Sequence, residues 1–577
     1  MLEILYQEEL ARLKDLAAEF AEAHPALAPL LGGTAADPDV ERLFQGVALQ
    51  FAQLRQKLED DVPEFTHALA RQLCPQLLRP VPATTIVAFA PKASLSGTRT
   101  VKAGTELDSV PVEGTSCRFR SCADVELHPL ELLDAAYVQS PGAPPAISLT
   151  FALTGCSLEQ WQPDSLRLFL AEEYPVAAEL FFVLNRQVRR VLIAPERGGE
   201  TLELHPDCLI PASFNDAEPM LPYPATAFPG YRQLQEFFAL PSRFLFLDLT
   251  GWRGWRNRGS GTRFTVRFEL ASAIPASLRV RPESFALYAT PAVNLFACDA
   301  VPFLLDHRSD RYAVHPDGLP RGHAQVFSVD RVQGFGHGTG RRRRYRPVEA
   351  FASADGSQPS FGTTAALAPL GGELEVSLTF NHAPDGLWQE GETISVALTC
   401  TSGRLPELLS LGDVCRATSS SPEWASFRNI TPVRPGVLPC LGNHLLWRLV
   451  AHQSLSLGSL LDAEALRELL NVYLFEETCG GLPVMAHRKR IAGIEQVVAT
   501  AADRVVRGIA IRGTEICLRV NGGNFAGVGD LFVFGSVLDA FLAGIAALNS
   551  YTCLTVHDTS TGEVMAWTPR LGDQPLL

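Results

Sequence analysis

Few residues in this chain have types and spacings that could do chemistry. Gly334-Phe335-Gly336-His337-Gly338-Thr339-Gly340 alternates glycines behind the strand-like segment Val326–Val332. A glycine loop can cradle a phosphate with its backbone N–H groups, but that chemistry needs the GxGxxG register and a helix opening behind it. The segment misses that register and carries no helix signal behind it, so it reads as a surface loop. The run Arg341-Arg342-Arg343-Arg344-Tyr345-Arg346 follows directly. A nucleic-acid site would spread its basic residues over a face with interleaved aromatics. Arg341, Arg342, Arg343 and Arg344 therefore read as a solvated loop, with an acidic protein surface as its candidate partner. No GxxxxGK[ST], HExxH, GxSxG or DxDxDG pattern occurs. The 12 cysteines are scattered without a CxxC, and the closest pair, Cys117 and Cys122, has no histidine at ligand spacing. Asp306-His307 reads as a loop hydrogen bond, and Trp252 and Trp255 as core or turn aromatics. No catalytic residue, cofactor site or metal site is expected.

Composition narrows the function further. The chain has 577 residues and a net charge of −14, which argues against a general nucleic-acid or anionic-membrane binder. Apolar residues make up 46% and charged residues 19%, a globular chain thin in solvating charge. Of its 49 basic residues only Lys14, Lys57, Lys92, Lys102 and Lys489 are lysines. Arginine is the cation enriched at protein interfaces, although a GC-rich coding bias produces the same skew. The N-terminus lacks a basic region followed by an apolar core. The most apolar window, Leu531 to Leu548, carries Asp539 and reads as a buried amphipathic helix rather than a membrane span. Together these predict a cytoplasmic protein with no direct membrane insertion.

The elements that position these residues divide into three textures. Residues 1–82 read as a helical arm. Tyr6, Leu10, Leu13, Ala17 and Phe20 lie on one helical face that ends at His24-Pro25. Asp37-Pro38 opens a second helix by capping, with a wide stripe of Val40, Leu43, Phe44, Val47, Phe51, Leu54 and Leu58. A third short helix is predicted after Pro63. The first 80 residues hold 13 acidic against 7 basic residues. Such stripes must pack on each other or on a partner. After Pro80-Val81-Pro82, strand-like runs punctuated by Gly, Pro and Ser predict two β-rich, sandwich-like modules, 83–290 and 291–435. Helices are expected near Val176–Arg186 and Tyr231–Phe238, with a long irregular loop over Pro206–Pro229. Residues 436–577 read as an α+β module: Asp462 caps a helix, and Thr552–His557 and Glu563–Trp567 form a terminal hairpin. The fold class expected is multidomain α+β, rich in β.

Several segments, in order, resemble one family. They begin with Tyr6-Gln7-Glu8-Glu9-Leu10, Leu16–Ala21, Ala36–Leu43 and Cys74-Pro75. Pro291–Phe296, Tyr312–Pro316 and Phe327–Asp330 follow, then Asn443–Leu449, Arg512–Glu515, Phe525–Gly529 and Trp567–Arg570. This pattern is similar to the TssF (VasA/ImpG) family of type VI secretion baseplate subunits and covers essentially the whole chain. The resemblance implies a structural role. Two copies would pair with one TssG-like subunit in a baseplate wedge, their N-terminal helices bundling with it. A TssK-like subunit would attach the wedge to the inner-membrane complex and a TssE-like subunit would link it to the sheath. Six wedges would surround a VgrG-like spike and support sheath assembly and contraction. The Gly334–Arg346 segment and the Pro206–Pro229 loop depart from the family pattern. The competing reading is a β-sandwich enzyme acting on a sugar or peptide, which would need two carboxylates or a nucleophile and base converging in a cleft.

Overall fold

In the computed structural model of the chain, the residues described are 2–24, 38–92, 95, 97–214, 218–223, 229–306, 308–336, 342–348, 359–368, 373–381, 392–439, 441, 444–453, 462–474, 482–506 and 509–572. Two helices open it, α1 (Leu2–Ala23) and α2 (Pro38–Leu73). Asp37 and Pro25 lie outside the described residues, but both helix boundaries fall where the capping signals place them. The predicted break at Pro63 is not there: α2 runs through it as one helix of 36 residues. Proline removes one backbone donor and disfavours the helix locally, yet the apolar period continues on both sides and the helix continues with it.

The β-rich α+β class expected from the sequence holds. A six-stranded sheet has the order Val414–Ala417, Glu106–Val112, Thr115–Ser121, Ala289–Val293, Thr84–Pro91, Ala425–Asn429. Thr84–Pro91 pairs antiparallel with both Ala289–Val293 and Ala425–Asn429, so this sheet draws strands from either side of residue 290. A five-stranded sheet around Arg263–Leu270 and a four-stranded sheet around Ser165–Leu170 share a core with it. Trp252 and Trp255 are buried there with Trp161 and Phe264, Trp161 meeting Trp252 edge-on at 5.2 Å. An eight-stranded sheet lies within residues 296–401. The expected loop over Pro206–Pro229 is partly ordered into the short strand Leu209–Pro211 and a 3-10 turn, Ala212–Phe214.

Helices α3 (Tyr174–Arg186) and α4 (Pro229–Ala239) carry the core toward the C-terminal part, where α5 (His444–Gln453), α6 (Ala463–Val472) and α7 (Leu482–Ala492) precede a five-stranded sheet. Asp462 caps α6, accepting from the Ala465 N–H. Strands Ile509–Val520 and Tyr551–Asp558 are parallel, and α8 (Val528–Ile545) is their crossover. The expectation of an amphipathic helix is corrected here: all but two of the 18 residues of α8 are buried. The helix is long and apolar enough to span a bilayer, but protein covers it. Phe532 packs on Phe182 at 5.5 Å, Phe534 on Phe237 at 5.9 Å and Phe541 on Tyr231 at 5.6 Å. Asp539 on α8 is 1% exposed and accepts from Arg570 Nε at 2.6 Å.

Burial is the larger influence on that carboxyl and lifts it to about 6, with Arg570 pulling the other way. The folded chain therefore holds this proton more tightly than the unfolded chain does. The resulting stabilisation is full below the unfolded value near 3.8 and is lost as pH rises through about 6. A gap of that size corresponds to roughly 3 kcal/mol. Asp539→Asn should flatten the slope of stability across that window, read as urea midpoints between pH 4 and 7. An unchanged slope would contradict the assignment.

Candidate partner interface

The arm is built from a narrow contact and a broad uncovered stripe. α1 packs along α2 and Lys14 bonds Glu41 at 3.0 Å between them. Among the described residues between 6 and 54 the buried side chains are small: Ala17, Ala48 and Ala52. Alanines let two helix axes approach closely, so the contact is tight but removes little apolar surface from water. Tyr6, Leu10, Leu13 and Ala17 fall on one sector of α1, with Ala17 buried and the other three half-buried, and so turn toward α2. Phe20, at the edge of that sector, stays 48% exposed, and Leu16 beside it 53%.

On α2 the rotation of about 100° per residue places Val40, Leu43, Phe44, Val47, Phe51 and Leu54 in one sector about 100° wide. Ala48 and Ala52 point to the side of it, so α1 does not cover the stripe. Leu43 is 65% exposed, Leu54 55% and Phe51 49%, while Val40, Phe44 and Val47 are half-buried. Fully burying side chains of this kind is worth about 1.5–3 kcal/mol each. Ala17 belongs to the seam read from the sequence, whereas Ala48, Ala52 and the outlying Leu16 and Leu49 do not lie on either stripe read there. Small residues at i and i+4 beside the large stripe were the available signal.

At its root the arm joins the eight-stranded sheet. His67 Nε2 bonds the Leu441 carbonyl at 3.2 Å, and the Arg79 guanidinium lies 5.4 Å over the Phe327 ring. A groove of about 340 Å³ opens there between Arg71, Arg79, Phe327, Phe361 and Val376.

The arginine run is not a loop. Arg342–Pro347 is a strand paired antiparallel with Gln325–Gly336, which also takes Gly334 and Gly336 into the sheet. Arg341 and residues 337–340 lie outside the described residues. Strand geometry splits the run by alternation. Arg343 turns in and pairs with Glu392 at 3.2 Å, and the buried Tyr345 donates to the same carboxylate at 2.7 Å. Arg342 and Arg344 turn out. Glu392, some fifty positions along the chain, is the long-range partner that makes a strand of four arginines tenable.

The polar cluster closest to a catalytic arrangement is structural in its connections. Arg490 Nε donates to both Asp530 oxygens at 3.0 and 2.9 Å, Tyr174 OH donates to Asp530 at 3.0 Å, and Arg490 meets His487 Nδ1 at 3.0 Å. Asp530, Arg490 and His487 are all buried. Burial holds the His487 imidazole well below its ordinary value, with the Arg490 and Arg434 charges adding to the effect. The cluster ties α3, α7 and α8 together. No group of His, Cys, Asp and Glu able to hold a metal occurs among the described residues.

Known proteins share this architecture. The family model described as "Type VI secretion system, TssF" matches residues 1–574. The type VI secretion system component TssF1 of Pseudomonas aeruginosa is 30% identical, with 99% of each chain covered. A chain from a cryo-electron-microscopy structure of the type VI secretion TssK-TssF-TssG baseplate subcomplex superposes with a TM-score of 0.78 at 27% identity, covering 92% of this chain and 98% of that one. A chain of a type VI baseplate complex shares the fold, with a TM-score of 0.65 at 22% identity over the full length of both. A match over essentially the whole length, by sequence and by fold, is what the ordered segments from Tyr6 to Arg570 had implied, and the chain belongs to the TssF family of type VI secretion proteins.

Proposed function

We propose that this TssF-family chain is a non-catalytic scaffold subunit of the type VI secretion baseplate, with its helical arm as the seat of its partner subunits. The observation that carries the reading is the uncovered α2 stripe. Leu43, Phe51 and Leu54 stand exposed along one face of a long helix whose contact with α1 lies to the side, at Ala48 and Ala52. A helix keeps such a stripe in register when another helix covers it. The structural relative comes from a complex with TssK and TssG, and a TssG-like subunit is the partner assigned to the stripe. A TssK-like subunit then joins the same assembly in the bacterial cytoplasm, at the docked baseplate. Two copies of this chain per TssG-like subunit, a TssE-like link to the sheath and a VgrG-like spike complete the arrangement that the family resemblance implies.

Co-expression of the full chain with its TssG-like and TssK-like subunits, followed by native mass spectrometry, tests this. A stable complex with two copies of this chain for each TssG-like subunit is expected. Elution of the chain alone, with both companions soluble, would refute the proposal. The enzyme alternative gains nothing from the buried Arg490–Asp530–His487 cluster, whose groups are occupied with one another.

A further inference from the structure

The outward face of the arginine strand lies far from the α2 stripe in sequence and has no role in the reading above. Arg342, Arg344 and Arg346 are exposed at two-residue steps, about 6.8 Å apart. Exposed Arg331 stands on the neighbouring strand one residue beyond the pair Val332↔Tyr345 and lines a recess together with Arg344 and Arg346. Like charges gathered around one recess repel one another, so the fold holds this group at a cost. The rest of the face is neutral: Gln333 and Phe335 on the same strand, then Ser395, Thr393 and Ala397 beyond. Arg342 donates to Gln333 at 2.6 Å and lies 5.9 Å over the Phe335 ring. The nearby Asp330, displaced by a bulge, accepts from the Ser328 and Thr399 hydroxyls, each at 2.7 Å. No salt bridge engages Arg331, Arg344 or Arg346 among the described residues.

We propose that this four-arginine sheet face docks the acidic outer face of α1 of a second copy of the chain. Asp15 and Glu19 are exposed one turn apart on α1, away from the Ala17 side that meets α2. Carboxylates at i and i+4 are spaced about 6 Å along a helix, which matches the step between alternate arginines. The acidic arm and the basic strand give one chain both halves of a complementary pair. A net charge of −14 repels both DNA and a second copy of the chain at long range, so local fit decides between them. A single aromatic, Phe335, falls short of the stacking platform that single strands need. Guanidinium suits the role because it binds carboxylates in a planar fork and is weakly hydrated. The contact does not depend on the α2 stripe, so it stands or falls separately from the arm's role with a TssG-like partner.

Sedimentation velocity of the full chain decides it. Self-association is expected at about 50 mM salt, weakening at least about tenfold by about 400 mM as screening shortens. Arg344→Glu/Arg346→Glu should abolish it, as should Asp15→Arg/Glu19→Arg, and an equimolar mixture of the two reversed chains should associate again. Arg344→Lys/Arg346→Lys keeps the charge and should retain most of the association. All four arginines are exposed, so the variants should melt like the parent. Absence of salt-sensitive association in the parent, or failure of the folded reversed chains to recover in mixture, overturns the proposal. Arginine-dependent binding of fluorescein-labelled duplex DNA without arginine-dependent self-association overturns it in favour of a nucleic-acid face.

Discussion

Replacing Leu43 and Phe51 together by Asp should cost the chain at least about a hundredfold in affinity for its TssG-like partner, while its thermal unfolding stays within a few degrees of the parent. Both residues project from α2 into solvent, Leu43 at 65% and Phe51 at 49% exposure. In the free chain the exchange thus removes little buried surface. In the assembly each would have filled a pocket in another helix, and each would instead bring an unpaired carboxylate into an apolar contact. Truncating a central apolar anchor costs about 2 kcal/mol or more, and burying a charge there adds to it. Two such positions amount to at least about 3 kcal/mol, which is the hundredfold stated. Leu13→Asp is a weaker probe. Leu13 is half-buried toward α2, so its loss disturbs the arm itself as well as any partner. Retained binding by the Leu43/Phe51 double variant, measured by co-purification and biolayer interferometry, would remove the stripe from the interface.

The second large effect is expected in the core. Gly529 sits where α8 crosses α3, and a Cβ there would lie 2.3 Å from the Ala178 carbonyl. The obstacle is backbone, so no rotamer change relieves it. Gly529→Val would force α8 away from α3, loosening Phe532 from Phe181 and Phe182 and stretching the Gly529 N–H to Glu179 bond, now 3.0 Å. Overpacking alone costs about 1–3 kcal/mol and more where the backbone must move. We expect at least about 3 kcal/mol, seen as a large drop in Tm or as loss of soluble protein. Gly46 in α2 is the internal control, because a Cβ there meets nothing within 4 Å. Gly46→Ala should stabilise by about 1 kcal/mol through helix propensity. If Gly529→Val is tolerated like Gly46→Ala, the tight α3–α8 crossing is wrong.

Local pattern and long-range partnership explain which parts were readable beforehand. The arm helices were legible because i, i+3, i+4 apolar spacing and the Pro38 start act within a few residues. Strands such as Arg263–Leu270 and helices such as α3 were legible for the same reason. Three features depend on distant chain segments and were not. Thr84–Pro91 finds its partners at Ala289–Val293 and Ala425–Asn429, pairings no local pattern encodes. The arginine run looked like a loop because Glu392, which makes Arg343 tolerable in a sheet, lies far along the sequence. α8 looked amphipathic because Asp530, Ser536 and Asp539 interrupt its apolar run, whereas Arg490, Trp567 and Arg570 each bond one of those groups inside the core. At the candidate interface the α2 stripe was visible in the residue types. Which face α1 would leave uncovered depended on Ala48 and Ala52, whose i, i+4 spacing of small residues is a weaker signal than the large apolar stripe beside it.

Hydrogen–deuterium exchange of the full chain, free and in complex with its TssG-like subunit, reads the covering of the α2 stripe. Strong new protection is expected in peptides from residues 38–54, with little change in the six-stranded sheet or in α8, which are already covered by the chain itself. Unchanged exchange across the arm, with protection appearing in the β-rich modules instead, would contradict that covering.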